Sequence, residues 1–317
     1  MTRLVRQLLP FASLILIICV LSAWQPDSFL TLDNFLNVLR RSSVYGIIAV
    51  GMTFVIVSAG IDLSVGSLVA LSGMVAAQAM ITVGGVEPGS GAMVLGTLVG
   101  LLVGTLAGLL NGVAITVLRL QPFIVTLGTM SLFRGIALVM NDGQPINVSS
   151  YRWLAEGTVA GVPVSVVLFA AILVLADLAL KHTRFGRHTY AIGSNREAAY
   201  HAGVGVRGTL IGISTLCGFL TGLGGMISAS RTVSAQPTAG IGAELDVIAA
   251  VVIGGASLSG GRGTITGTLV GTLLISFLRN GCTLVGISTN AQLVVIGVVI
   301  IAAVAVDRFT RDKAGEG

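Results

Sequence analysis

Five ionisable residues fall inside, or at the ends of, long apolar stretches: Asp62, Arg134, Asp177, Glu244 and Asp246. A charge carried into hydrocarbon costs about 2.5–3.5 kcal/mol on insertion scales, so such a residue points to a solute path, a relay or an ion pair. Asp62 stands in Gly60-Ile61-Asp62-Leu63-Ser64. There its carboxylate can cap the following helix or touch a polar solute, and capping is the simpler expectation. Arg134 lies near the outer end of its stretch, where it can snorkel or pair with an acid. Glu244 and Asp246 open another stretch, a position at which carboxylates suit a helix N-terminus. Asp62, Ser64, Arg134, Glu244 and Asp246 are therefore the candidates for a translocation pathway.

Other chemistry finds no footing. The chain holds two lysines, Lys181 and Lys313, and neither follows a glycine, so no GxxxxGK[ST] phosphate loop is present. The three histidines, His182, His188 and His201, share one arginine-rich segment, which reads as a solvated basic loop before it reads as a metal site. No HExxH or GxSxG motif occurs, so neither a catalytic constellation nor a metal site is expected. Cys19, Cys217 and Cys282 lie in apolar runs without CxxC spacing and read as small buried hydrophobes. Nor does the net charge of +5 indicate nucleic acid, because the basic residues are scattered among apolar stretches.

The elements that must hold these residues are membrane helices. Of 317 residues, 54% are hydrophobic and only 10% are charged, against about a quarter charged in soluble domains. Apolar stretches occur at about 8–24, 42–59, 63–83, 92–118, 122–140, 163–180, 208–229, 244–257, 264–281 and 289–306. About 20 residues cross a bilayer, so an all-α polytopic protein of about ten spans is expected, as a single membrane domain over 1–317. The eighth stretch is short and reads as a half-span or re-entrant helix. The first 24 residues imitate a signal peptide, but the many spans that follow favour an uncleaved first span. With the N-terminus inside, twelve of the 18 basic residues fall on the cytoplasmic side, five fall outside, and Arg134 lies within a span. The positive-inside rule thus favours both ends in the cytoplasm, with Arg40-Arg41 the main misfit.

Two internal patterns refine this. Gly96-Thr97-Leu98-Val99-Gly100 recurs as Gly267-Thr268-Leu269-Val270-Gly271, each followed by an Asn-Gly pair, and Ile61-Asp62-Leu63 corresponds to Leu245-Asp246-Val247. The related stretches would run in opposite directions, which predicts two inverted five-helix halves. Gly96, Gly100, Gly104, Gly108 and Gly112 recur every fourth residue; such a ridge admits a neighbouring backbone and predicts a close, crossed helix pair.

The segment 181–207 is the longest cytoplasmic connection, with five basic residues against Glu197. Ser194-Asn195-Arg196-Glu197 has the form of a capping box, predicting a short helix from Ser194 through Tyr200 that Gly203 and Gly205 can end. By composition it suits an interfacial helix lying on anionic membrane lipid, or a docking helix gripped by a soluble partner.

Three segments carry a family likeness: GMTFVIVSAGIDLSVGSLVALSG (51–73), FGRHTYAIGSNREAAYHAGV (185–204) and AQPTAGIGAELDVIAAVVIGGASLSGGRGTITGTLVG (235–271). They closely resemble the permease subunits of ribose-type sugar ABC importers, in the same order and over nearly the whole chain. The resemblance implies a bacterial inner-membrane transport subunit that translocates a monosaccharide by alternating access. It implies a second permease copy, identical or related, a cytoplasmic ATP-binding-cassette subunit that binds ATP and magnesium, and a periplasmic or lipid-anchored sugar-binding protein. No cofactor would reside in this chain. Gly193, Ser194, Asn195, Arg196, Glu197, Ala198, Ala199, Tyr200 and Ala202 match the element that couples to the ATPase. Arg40, Arg41, Glu87, Arg152, Glu156 and Arg231 are outer charges suited to the binding protein, and 307–317 reads as a solvated tail. The inverted halves would also suit an ion-coupled carrier, which needs a relay such as Asp62 with Glu244 or Asp246. A nearer alternative keeps the ABC importer and changes the cargo to a nucleoside or an autoinducer.

Overall fold

Side chains that would form the core of a soluble protein face outward here. On one long helix Leu95, Leu98, Leu102 and Leu106 are exposed, while Gly96, Gly100, Gly104 and Gly108 between them are buried. That inversion is what a lipid solvent selects, since leucine gains nothing by leaving hydrocarbon and close packing replaces the hydrophobic force.

The computed structural model describes residues 3–298 and 301. In chain order its helices are α1 (Arg3–Trp24), α2 (Pro26–Phe29), α3 (Leu32–Val57), α4 (Val65–Gly84), α5 (Ser90–Val117), α6 (Pro122–Val139), α7 (Trp153–Glu156), α8 (Val164–His182), α9 (Arg184–Ser194), α10 (Arg196–His201), α11 (Val206–Thr232), α12 (Ala243–Ile253) and α13 (Ile265–Leu284). A last apolar helix, α14, occupies Thr289–Val298. Among the described residues, α3, α4, α5, α6, α8, α11 and α13 are long and apolar enough to cross a membrane. The protein is an all-α polytopic membrane protein. The tail 307–317 lies outside the described residues.

Helix α3 is the hub. Its Ile47, Ile48, Met52, Phe54 and Ile56 are fully enclosed, and it packs against α8, α11, α12 and α13. It begins ten residues before the apolar stretch at 42–59. Thr31 caps it, the hydroxyl accepting from the Asn34 amide at 3.2 Å, so a polar first turn simply extends the helix beyond the apolar zone. Polar groups lie inside as well: the Thr53 and Thr268 hydroxyls meet at 2.6 Å between α3 and α13. Near the other end, Asn34 and Asn280 exchange two amide hydrogen bonds, of 3.1 and 2.7 Å. Leu14, Ile17, Ile18 and Leu21 of α1 pack against a cluster of Phe29, Val38 and Phe277, drawn from α2, α3 and α13.

The glycine ridge of α5 is buried, as its spacing predicts. A Cβ at Gly96 would strike Met80 of α4, and one at Gly104 or Gly108 would strike the backbone of α11 at Gly218 and Gly222 or at Ser214 and Gly218. The ridge thus passes from α4 onto α11, as a row that drifts around its helix must.

Two minimal antiparallel ladders lie between the helices. β1 (Ile146–Asn147) pairs with β4 (Ser234–Ala235), Ile146 opposite Ala235. β2 (Thr158–Val159) and β3 (Val162–Pro163) form a hairpin around Ala160 and Gly161, both with positive φ, the conformation that two-residue hairpin loops favour.

Candidate functional site

Helix α11 ends where its chain must turn inward. Val233 adopts the left-handed conformation (φ 55°) and its carbonyl accepts from the Val148 amide at 3.1 Å. A β-branched residue there is strained, and such strain persists only where the surroundings enforce it. After β4 the chain runs as irregular turns to Gly242, itself left-handed, before α12 begins.

That irregular segment forms one wall of a cavity of about 240 Å³. Tyr45 of α3, Val69 to Gly73 of α4 and Gly225 to Thr232 of α11 supply the rest. Small residues make the room: Gly73 is only in ordinary contact distance of Ala229 and Ala235. Tyr45, Ser228, Arg231, Thr232, Ser234, Gln236 and Thr238 make the lining polar. Some are fixed internally, since Gln236 donates to the Ser234 hydroxyl at 2.6 Å and Thr232 donates to the Ser234 carbonyl at 2.7 Å. Arg231 makes no ion pair among the described residues. Hydroxyls, an amide and a guanidinium around a small space can bind a polyhydroxylated solute.

The pathway candidates read from sequence stand elsewhere. Asp62 does not cap α4; Ser64 holds the cap position and makes no side-chain capping bond. The Asp62 Oδ1 instead accepts from the Ser64 amide (2.8 Å) and hydroxyl (2.6 Å), and Asn111 donates to that hydroxyl at 2.9 Å. This is an Asx-turn locked to α5, chosen because the carboxylate reaches two residues on more easily than it reaches a helix starting at Val65. Asp246 is no free carboxylate: both oxygens accept from Arg279 of α13, at 2.9 and 2.7 Å. Glu244 lies against Gly66, where a Cβ would meet its Oε2 and the Gly240 carbonyl. Arg134 pairs with no acid within salt-bridge distance among the described residues; it donates to the Pro237 and Ala239 carbonyls at 2.6 and 2.8 Å.

The segment that the sequence analysis assigns to the cytoplasm folds as the two short helices α9 and α10. The capping residue of the short helix is Asn195, not Ser194, which ends α9; the Asn195 side chain accepts from the Ala198 amide at 2.9 Å. Ser194 is already helical, so its hydroxyl is not placed to cap. The preceding α9 is absent from the sequence reading, although its own cap, Thr183 accepting from Gly186 at 3.2 Å, is a local signal. On α10 and its flanks Arg196, Glu197, Ala198, Tyr200 and Ala202 are exposed, while Ala199 is buried with Ile192 and Val206.

Beneath that exposed face the helix pair grips two loops. A Cβ at Gly193 would strike the Val57 carbonyl and the Gly261 amide, and that amide donates to the same carbonyl at 2.8 Å. Tyr190 donates to the Gly263 carbonyl at 2.6 Å. Burial, and then the Asp177 carboxylate, push its phenol above the ordinary range, so it remains a donor. Displacing α9 would therefore pull on the end of α3 and on the loop before α13 together.

Sequence reasoning did not single out Tyr45, Ser228, Thr232, Gln236 or Thr238, and it placed Arg231 among the outer contacts. The polar run Ser234-Ala235-Gln236-Pro237-Thr238 between two apolar stretches was the available signal.

Residues 34–304 match the family described as branched-chain amino acid transport system / permease component. The ribose import permease protein RbsC of Bacillus subtilis (strain 168) is 48% identical over 303 residues, covering 94% of this chain and 92% of its own length. The protein of the same name from Escherichia coli (strain K12) is 43% identical over 302 residues, with 93% and 91% covered. The D-allose transport system permease protein AlsC of the same strain is 39% identical over 301 residues, with 94% and 90% covered. No solved structure matches. The chain belongs to this permease family, among the ribose-type sugar permeases of ABC importers.

Proposed function

We propose that the chain is the membrane-crossing subunit through which a pentose or hexose, handed over by a periplasmic or lipid-anchored binding protein, passes into a bacterial cell across the inner membrane. The observation that carries this is the 240 Å³ cavity, whose hydroxyls, amide and Arg231 match the hydroxyls of a monosaccharide. The relatives' names, which specify ribose and allose, support the solute class. Ten crossings with both ends in the cytoplasm place the cavity toward the outer side and α9–α10 inside. The packing of α4 on α5 and of α12 on α13 supports two inverted halves. In both pairs an acid near the first helix's start links to the second, Asp62 through Ser64 to Asn111 and Asp246 to Arg279.

The power comes from outside the chain. An ATP-binding-cassette subunit, holding ATP and magnesium, docks on Ser194 to Ala202, and its closure moves α9 and α10. Gly193 and Tyr190 pass that motion to Val57 and Gly263, so the helices around the cavity rock and open it inward. A second permease copy completes the importer. An ion-driven carrier is less well served, because Asp246 is committed to Arg279.

In the reconstituted importer, Arg231→Gln and Gln236→Leu are each expected to lower sugar uptake about ten-fold, the worth of a charge-assisted or buried hydrogen bond, with subunit assembly unchanged. Full uptake by both variants would remove the cavity from the path.

A further inference from the structure

The cavity wall from Gln236 to Gly240 is irregular backbone within a membrane domain, where a carbonyl turned away from the cavity needs a partner inside the protein. Its own turns supply little: the Ala239 amide donates to the Gln236 carbonyl and the Ala243 amide to the Gly240 carbonyl, both at 3.0 Å. The carbonyls of Pro237 and Ala239 are taken by one atom of another helix, Nη1 of Arg134 on α6. This is costly placement for a guanidinium. Around it α6 exposes Leu132, Ile136, Leu138 and Val139 as an apolar surface, and Arg134 itself does not line the cavity. Those two carbonyls flank Thr238, which does.

We propose that Arg134 is a positioning residue for the solute cavity. It holds the Pro237 and Ala239 carbonyls, fixes the Thr238 side of the wall at its working distance from Tyr45 and Arg231, and never touches the solute. The proposal rests on reading the cavity as the solute's path. One nitrogen makes both bonds, so an ammonium with three donors can replace it if it reaches, whereas an apolar or single-donor side chain cannot.

The test compares Arg134→Leu and Arg134→Lys in the importer reconstituted with its ATPase and binding protein. A second measurement reads the wall directly, as the rate at which a charged methanethiosulfonate labels a Thr238→Cys thiol, with Val159→Cys on the exposed β2–β3 hairpin as the distant reference. Arg134→Leu is expected to lower uptake about ten-fold, as loss of a charged hydrogen-bond donor does, and to change Thr238→Cys labelling by a factor of about three or more without altering labelling at Val159→Cys. Arg134→Lys should restore most of both. Lost uptake with unchanged Thr238→Cys labelling would overturn the proposal, and so would normal uptake by Arg134→Leu. If substitutions at Arg231 and Gln236 leave uptake intact, the cavity reading fails; the labelling result still decides whether Arg134 holds the wall.

Discussion

Ala199→Pro is expected to abolish uptake while leaving the chain inserted in the membrane. The Ala199 amide donates to the Asn195 carbonyl at 3.0 Å as the first turn of α10 closes, and its methyl is buried between Ile192 and Val206. Proline removes that donor, clashes with the preceding turn and costs about 3 kcal/mol, roughly a hundred-fold in the population of a formed α10. Six residues cannot absorb such a loss, since helices this short depend on their packing. Glu197→Gln tests the same surface more gently. Glu197 is exposed and has no salt-bridge partner among the described residues, so its charge is available to a docked subunit. Uptake assays in vesicles containing the ATPase, with protease mapping to confirm insertion, measure both variants. Undiminished transport by the two would remove the coupling role from α10.

Gly218→Leu should prevent the fold itself from forming. A single Cβ at Gly218 would strike the Gly104 carbonyl and come within 2.7 Å of the Gly108 Cα. Both obstacles are backbone, so no rotamer change relieves them, and α5 and α11 would have to separate. The expected loss is about 3 kcal/mol or more, at the upper end for overpacking, read as a lowered Tm and aggregation in mild detergent. Gly208→Ala on the same helix is the control. A Cβ there meets open space, and exchanging a helical glycine for alanine should be neutral or gain up to about 1 kcal/mol.

These two sites differ in how far the sequence announces them. The four-residue glycine spacing on α5 is a period with one physical use, and the structure buries those glycines against α4 and α11. The apolar stretches likewise locate the long helices, because hydropathy measures what the bilayer requires. What hydropathy cannot measure is where a helix extends beyond the lipid. The segment from Leu32 to Arg41, with Asp33, Asn34, Arg40 and Arg41, is helical all the same, started by Thr31. The capping pattern at Ser194 to Glu197 was displaced by one residue, because serine and asparagine can each cap and only the end of α9 decides between them.

The site was less legible than the helices. Charge drew attention to Asp62, Glu244 and Asp246, yet an Asx-turn takes the first, close packing on Gly66 surrounds the second and Arg279 takes the third. Each of these charges thus has a local partner or close neighbour, and none of the three lines the 240 Å³ cavity. The cavity is lined instead by hydroxyls, an amide, an arginine and glycines from three helices and one irregular segment. None of these is conspicuous alone, and none of their spacings is periodic, so only the tertiary arrangement brings them together.

The central claim is that this polypeptide guides the solute but does not power it. Sugar uptake into proteoliposomes, with purified chain alone or with its ATP-binding-cassette and binding-protein partners, tests that most directly. Accumulation should require both partners and ATP, and the chain alone should hydrolyse none. Sugar accumulation by the chain alone, driven by a proton or sodium gradient, would contradict it.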